Sequence, residues 1–147
     1  MTEKKKINNY LEMKIKTASP IQLIIMLYEK AIQSLNTAID LLENNSIKYD
    51  EVNNNILKAQ EIISELMLSL DFEKGKEIAQ NLYKIYDYLI RQCIDANIKK
   101  DKEKLKSIVS ILNDLKDAWV QISNDEKIKK MKPKNDNPDG SSFNVSL

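Results

Sequence analysis

Three tyrosines, Tyr83, Tyr86 and Tyr88, crowd a short stretch of the sequence with Asp87 among them. A phenol carries a hydrogen-bonding tip on a large apolar ring, so it suits the edge of a core or an interface anchor. On a helix, positions 83, 86 and 88 point in different directions and cannot share one interior. One reading puts Tyr86 in the core with the other two at its edge; the other leaves at least one ring at the surface to grip a partner. Either way, the chemistry on offer is recognition.

Catalysis has little to work with. Histidine is absent, which removes the usual general base, the Ser-His-Asp arrangement and imidazole metal ligands. Di-iron carboxylate bundles need Glu-x-x-His on core-facing helices, which this chain cannot supply. Cys93 is the one cysteine; alone it cannot build a zinc site or an internal disulfide. Its neighbours place it on an apolar helix face as a buried, inert thiol. No phosphate-cradling GxxxxGK[ST] or GxGxxG motif occurs. The many carboxylates fall mostly on polar faces, where solvated charge accounts for them. No enzyme activity, cofactor or metal is expected.

The elements that must position the tyrosines are helices. The chain has only two glycines and three prolines, with 31% charged and 42% hydrophobic residues, and Pro133, Pro138 and Gly140 fall near its end. That composition points to an all-α fold. The first helix is predicted from Pro20 to about Glu43: Ser19 can cap it, Pro20 suits its first position and Gln22 completes a capping box. Ile24, Tyr28, Ala31, Leu35, Ala38 and Leu42 form its apolar stripe, with a second seam at Ile21, Ile25, Ile32 and Ile39. The break at 44–50 offers Asp50 as a cap for a second helix near 51–70, carrying Val52, Ile56, Ala59, Ile63, Leu66 and Leu70. Residues 71–75 read as a turn. A third helix near 76–97 presents Ile78, Leu82, Ile85 and Leu89, widened by Tyr86, Cys93 and Ala96. Asp101 caps a fourth, with Leu105, Ile108, Leu112, Leu115, Trp119 and Ile122 in steps of three and four; Trp119 belongs to the core. Four helices of about 20 residues with short links predict an antiparallel up-down four-helix bundle over 20–123.

An N-terminal leader, residues 1–19, precedes the bundle. It carries two large apolar side chains, Ile7 and Tyr10, which must dock on the body or on a partner. The first helix has more apolar surface than one seam needs. Broad packing would bury it; otherwise a groove remains for an amphipathic helix. From 124 to 147 the apolar periodicity fades, and the composition predicts a flexible, disordered tail; its last residues include Phe143, Val145 and Leu147 in alternation.

Charge is balanced at a formal +1, so no global field recruits nucleic acid or acidic lipid. The basic run Lys127–Lys134 lacks the aromatic interleaving of single-strand binders. No signal-peptide run or membrane span is evident, and one unpaired cysteine fits a reducing compartment, so the expected location is the cytoplasm.

Over about Ile7–Ser123 the chain resembles the flagellar secretion chaperone FliS family. The resemblance rests on an ordered set: the Ile7…Tyr10 leader, TASPIQLIIMLYEKAI (17–32), LDFEKGKEIAQNLYKIYDYLIRQCIDANIKKD (70–101) and LKDAWVQIS (115–123). It implies a four-helix bundle that holds the disordered C-terminal segment of flagellin in apolar grooves on its outside. Such a chaperone prevents premature polymerisation and delivers flagellin, through an export gate component, to the flagellar type III export apparatus. It also implies that Ile7 and Tyr10 cover part of the binding surface when flagellin is absent. Tyr28, Leu82, Tyr83, Tyr86 and Asp87 are the expected client contacts; if Tyr28 or Tyr86 is instead in the core, replacing it lowers stability. Many members have a Gly-Gly pair where this chain has Gly75-Lys76. The alternative is a regulatory or structural adaptor that binds another amphipathic helix. Because an empty apolar groove favours self-association as well as client binding, the chain is expected to be a monomer or a weak homodimer.

Overall fold

A computed structural model gives the fold and describes residues 19–45 and 48–131. Ile7, Tyr10 and the residues from 132 onward lie outside those described. Four helices follow one another: α1 (Pro20–Glu43), α2 (Tyr49–Leu68), α3 (Phe72–Lys99) and α4 (Lys102–Met131).

The start of α1 is dictated locally. The Gln22 N–H donates to Ser19 Oγ at 3.2 Å, and the Ser19 N–H donates to Gln22 Oε1 at 3.0 Å. Both halves of the capping box are made, and Pro20 begins the helix without losing a bond it would need. In contrast, α2 begins at Tyr49 behind Lys48, which gives no side-chain cap. Asp50, the expected cap, sits inside the first turn beside Glu51. There both carboxylates face the partly positive end of the helix, so they favour it without capping it.

The predicted turn at 71–75 is itself mostly helical. Asp71 Oδ1 accepts the N–H groups of Glu73 and Lys74, both at 3.0 Å, and starts α3 at Phe72. The helix then breaks at Lys76, with φ 48° and ψ −121°, next to a buried Gly75. A side chain at that backbone is sterically crowded, and glycine is the residue that adopts it freely. Beyond the break the core stripe runs Ala79, Leu82, Tyr86, Leu89, Cys93 and Ala96, all buried. Ile78, expected in that stripe, is 48% exposed. Counting back three from Leu82 reaches Ala79, so the smaller neighbour takes the inward position.

The fourth helix is longer than its apolar stripe. Asp101 Oδ1 accepts the Lys104 N–H at 3.1 Å, as a cap should. The helix then continues to Met131, eight residues past Ser123, so position 124 marks the end of the core-facing stripe and not of the helix. Glu, Lys and Met are good helix formers and sustain it, while Ile128 there is exposed.

Each helix packs on its neighbours in sequence, and α4 closes the ring against α1. The result is an up-down bundle with α1 opposite α3. Leu35, Ile56, Ile63, Leu89, Leu105 and Leu112 are fully buried at its centre. The surplus apolar surface of α1 goes into packing: Ile21, Ile32 and Ile39 are buried along with Tyr28, Ala31, Leu35 and Ala38. Broad packing, not an open groove, accounts for α1.

Candidate functional site

Two of the expected client contacts form the heart of the core instead. Tyr28 and Tyr86 are 0% and 1% exposed, and their hydroxyl oxygens lie 2.5 Å apart. The rings meet tilted, with centroids 6.4 Å apart. Trp119 is buried in the same core. Burial pushes both phenols above their ordinary value of 10.0, so they stay neutral and act as donor and acceptor. Leu82, a third expected contact, is buried as well. Cys93 is fully buried, and burial pushes its thiol up to about 12, so it offers no nucleophile.

Tyr83 and Asp87 do reach the surface. Tyr83 is 44% exposed, and its ring sits 6.0 Å from that of Phe72, which the first turn of α3 folds back beside it. Asp87 forms an ion pair with Arg91, with 3.1 Å between Oδ2 and Nε. Both belong to a stripe of α3 that continues through Ile90, Ile94 and Asn97 in steps of three and four. The direction of that stripe is fixed at its far end: Asn97 Nδ2 donates to Asn53 Oδ1 of α2 at 2.9 Å. On α2 the same spacing from Asn53 gives Leu57, Gln60, Ser64 and Met67. These two stripes line a shallow groove between α2 and α3. Leu57 and Ile94 are 40% and 44% exposed, and Ile98 at its upper end is 78% exposed. Gln60 gives the groove one polar point, because its buried Oε1 has no hydrogen-bond partner among the described residues.

A second groove lies on the other side of α3. Lys104 Nζ donates to Asp95, which also pairs with Lys99 at 3.2 Å. Stepping back from Asp95 along α3 gives Tyr88, Ile85 and Ile78; stepping on from Lys104 along α4 gives Ile111, Leu115, Ala118 and Ile122. Tyr88 and Ile78 are exposed, Ile85, Ile111, Leu115 and Ile122 are half-buried against the core, and Ala118 is exposed between them. The other flank of α4 is occupied, since Lys106 reaches across to Glu43 of α1 at 2.7 Å. The isoleucines of α3 and α4 were missed as site residues in the sequence. Their signal is a second apolar stripe running beside the core stripe.

Nothing among the described residues competes with this reading. No group of three His, Cys, Asp or Glu there could hold a metal ion, and no described helix is long and apolar enough to cross a membrane. A hollow on α2 lined by Asn54, Asn55, Leu57, Lys58 and Glu61 is wide open to solvent.

A four-helix bundle with a filled apolar core, closed around one tyrosine pair, and exposed apolar side chains on either side of one helix defines a helical binding module. The model of the family "Flagellar protein FliS" matches residues 3–126 of the chain. A flagellar secretion chaperone FliS of Salmonella typhimurium is 38% identical over 114 residues, covering 77% of this chain and 83% of the relative. That of Bacillus subtilis is 32% identical over 118 residues, covering 80% and 86%. A crystal structure described as a flagellar chaperone from bacteria shares the fold with a TM-score of 0.67 at 24% identity, covering 84% of this chain and 98% of that one. The chain belongs to the FliS family, the family of flagellar secretion chaperones.

Proposed function

We propose that this protein is a cytoplasmic, non-enzymatic export chaperone. In this reading it binds the disordered C-terminal segment of flagellin along the grooves beside α3, prevents premature polymerisation and delivers the client to the flagellar type III export apparatus. The observation that carries the reading is the run of exposed apolar side chains Tyr83, Ile94 and Ile98 beside a filled core. A monomer has no packing use for them, whereas an amphipathic client helix has. The client's apolar residues enter the grooves as it orders, and much of the gain offsets its lost chain entropy. That keeps the complex reversible without nucleotide. Leader residues Ile7 and Tyr10 cover part of the surface until flagellin arrives, and a gate component of the export apparatus receives the complex.

The test is titration with a synthetic peptide of the same organism's flagellin C-terminus, followed by calorimetry and circular dichroism. The expected result is saturable 1:1 binding with a gain of helix and a negative heat-capacity change. Ile94→Asp with Ile98→Asp should weaken binding about tenfold or more, since each buried isoleucine contributes about 1.5–3 kcal/mol, while the unfolding midpoint stays put. Absence of binding at high micromolar peptide overturns the reading.

A further inference from the structure

Of the four neighbouring helix pairs, α3 and α4 are the least closely packed. Below the Asp95–Lys104 contact their seam runs between Tyr88, Ile85 and Ile78 on one wall and Ile111, Leu115 and Ile122 on the other. Ala118, exposed between them, puts only a methyl group there. We propose that residues 143–147 of the same chain, FNVSL, occupy this groove while the client is absent and leave it when the client docks. The proposal rests on the chaperone reading for its consequence, but not for the contact itself.

Reach favours this occupant. Met131 ends α4, and Ile122 and Ile111 lie nine and twenty residues back along the same helix, about 14 and 30 Å away at 1.5 Å per residue. Eleven residues, 132–142, lie between Met131 and Phe143, a span of up to about 40 Å. The whole length of the groove is therefore within reach, whereas the α2–α3 groove lies on the far side of α3. A tether this short holds its end at an effective concentration in the millimolar range, so even a weak site fills.

The chemistry matches too. Residues 132–142, KPKNDNPDGSS, contain no large apolar side chain, while Phe143, Val145 and Leu147 alternate with Asn144 and Ser146. An extended backbone places those three apolar groups on one side, roughly 6.8 Å apart, and the two polar ones on the other. An extended pentapeptide of this pattern presents one apolar edge to the furrow and keeps its polar edge in water.

The experiment compares the full chain with a full-length variant carrying Phe143→Ser, Val145→Ser and Leu147→Ser. The δ-methyl resonances of Ile78, Ile85, Ile111 and Ile122 should move between the two without client, while those of Ile94 and Ile98 should not. If the segment fills the groove in about 70–90% of molecules, the variant binds the flagellin peptide about three- to tenfold more tightly. Unmoved methyls overturn the proposal, as do shifts that scale with protein concentration, which would make the occupant a second copy. Movement of the same methyls by Ile7→Ser with Tyr10→Ser alone would make the leader the occupant and overturn it equally. Moved methyls with unchanged peptide affinity overturn the competition. If neither form binds the peptide, the client reading falls while the moved methyls still establish the contact.

Discussion

Removing the hydroxyl of Tyr28 or of Tyr86 should cost stability, and removing both should cost less than the two losses added. The two hydroxyls are buried and bond each other at 2.5 Å, so Tyr28→Phe strips the Tyr86 hydroxyl of that partner and Tyr86→Phe does the same to Tyr28. At about 1–3 kcal/mol for each buried polar group left unsatisfied, each single variant loses about 1–3 kcal/mol. The double variant removes both hydroxyls and strands neither. The pair is thus coupled by about 2–6 kcal/mol. Urea melts followed by far-ultraviolet circular dichroism read all four forms, with equal slopes confirming that the same surface unfolds. Single losses that add to within about 0.5 kcal/mol in the double variant would refute the reasoning.

Lys76→Gly should stabilise the bundle. The lysine sits at φ 48°, ψ −121°, where strain of about 1–3 kcal/mol exceeds the roughly 0.5–1 kcal/mol of extra chain entropy that glycine loses on folding; a rise of about 1 kcal/mol in urea melts is expected, and a loss would mean that the break is not strained. A pH effect follows from Glu43 and Asp95. Hydrogen bonding to Lys106 holds Glu43 below its usual 4.5, and hydrogen bonds from Lys104 and then Lys99 hold Asp95 below its usual 3.8. Depressed carboxylates stabilise the fold above their unfolded values and lose that contribution as pH falls through the folded ones. Glu43→Gln with Asp95→Asn should therefore melt earlier than the parent at pH 7, with the gap narrowing as the pH falls below the ordinary carboxylate values; the gain is small because both groups are solvent-exposed.

What could be read in the sequence depended on how local its cause was. Ser19, Pro20 and Gln22 fix the start of α1 within four residues, and the observed cap is the expected one. The start of α2 differs from the expected one because Asp50 falls inside the first turn and the helix begins behind Lys48, which makes no side-chain cap. Ile78 looked like core because it is large, yet phase decides, and phase is set by Leu82 and Tyr86 further along. α4 outlasted its apolar stripe because helix propensity carries it on past the last core position, Ser123. For the site, Tyr83 and Asp87 stand where an interface needs them. Tyr28 and Tyr86 were legible as polar-tipped rings but not as partners, since the hydroxyl each requires lies 58 positions away. Ile90, Ile94 and Ile98 form a stripe that is visible in the spacing, but only the Asn53–Asn97 bond shows which groove it faces.

The ring order of the helices has a consequence for synthesis. α1 meets its second neighbour only when α4 arrives. Until that moment the α1–α4 seam remains open to water. At roughly 5–20 residues per second, the 30 residues of α4 take about 2–6 s to emerge. For those seconds the nascent chain is itself an aggregation-prone apolar segment in need of cover, the same condition in which its proposed client waits for export.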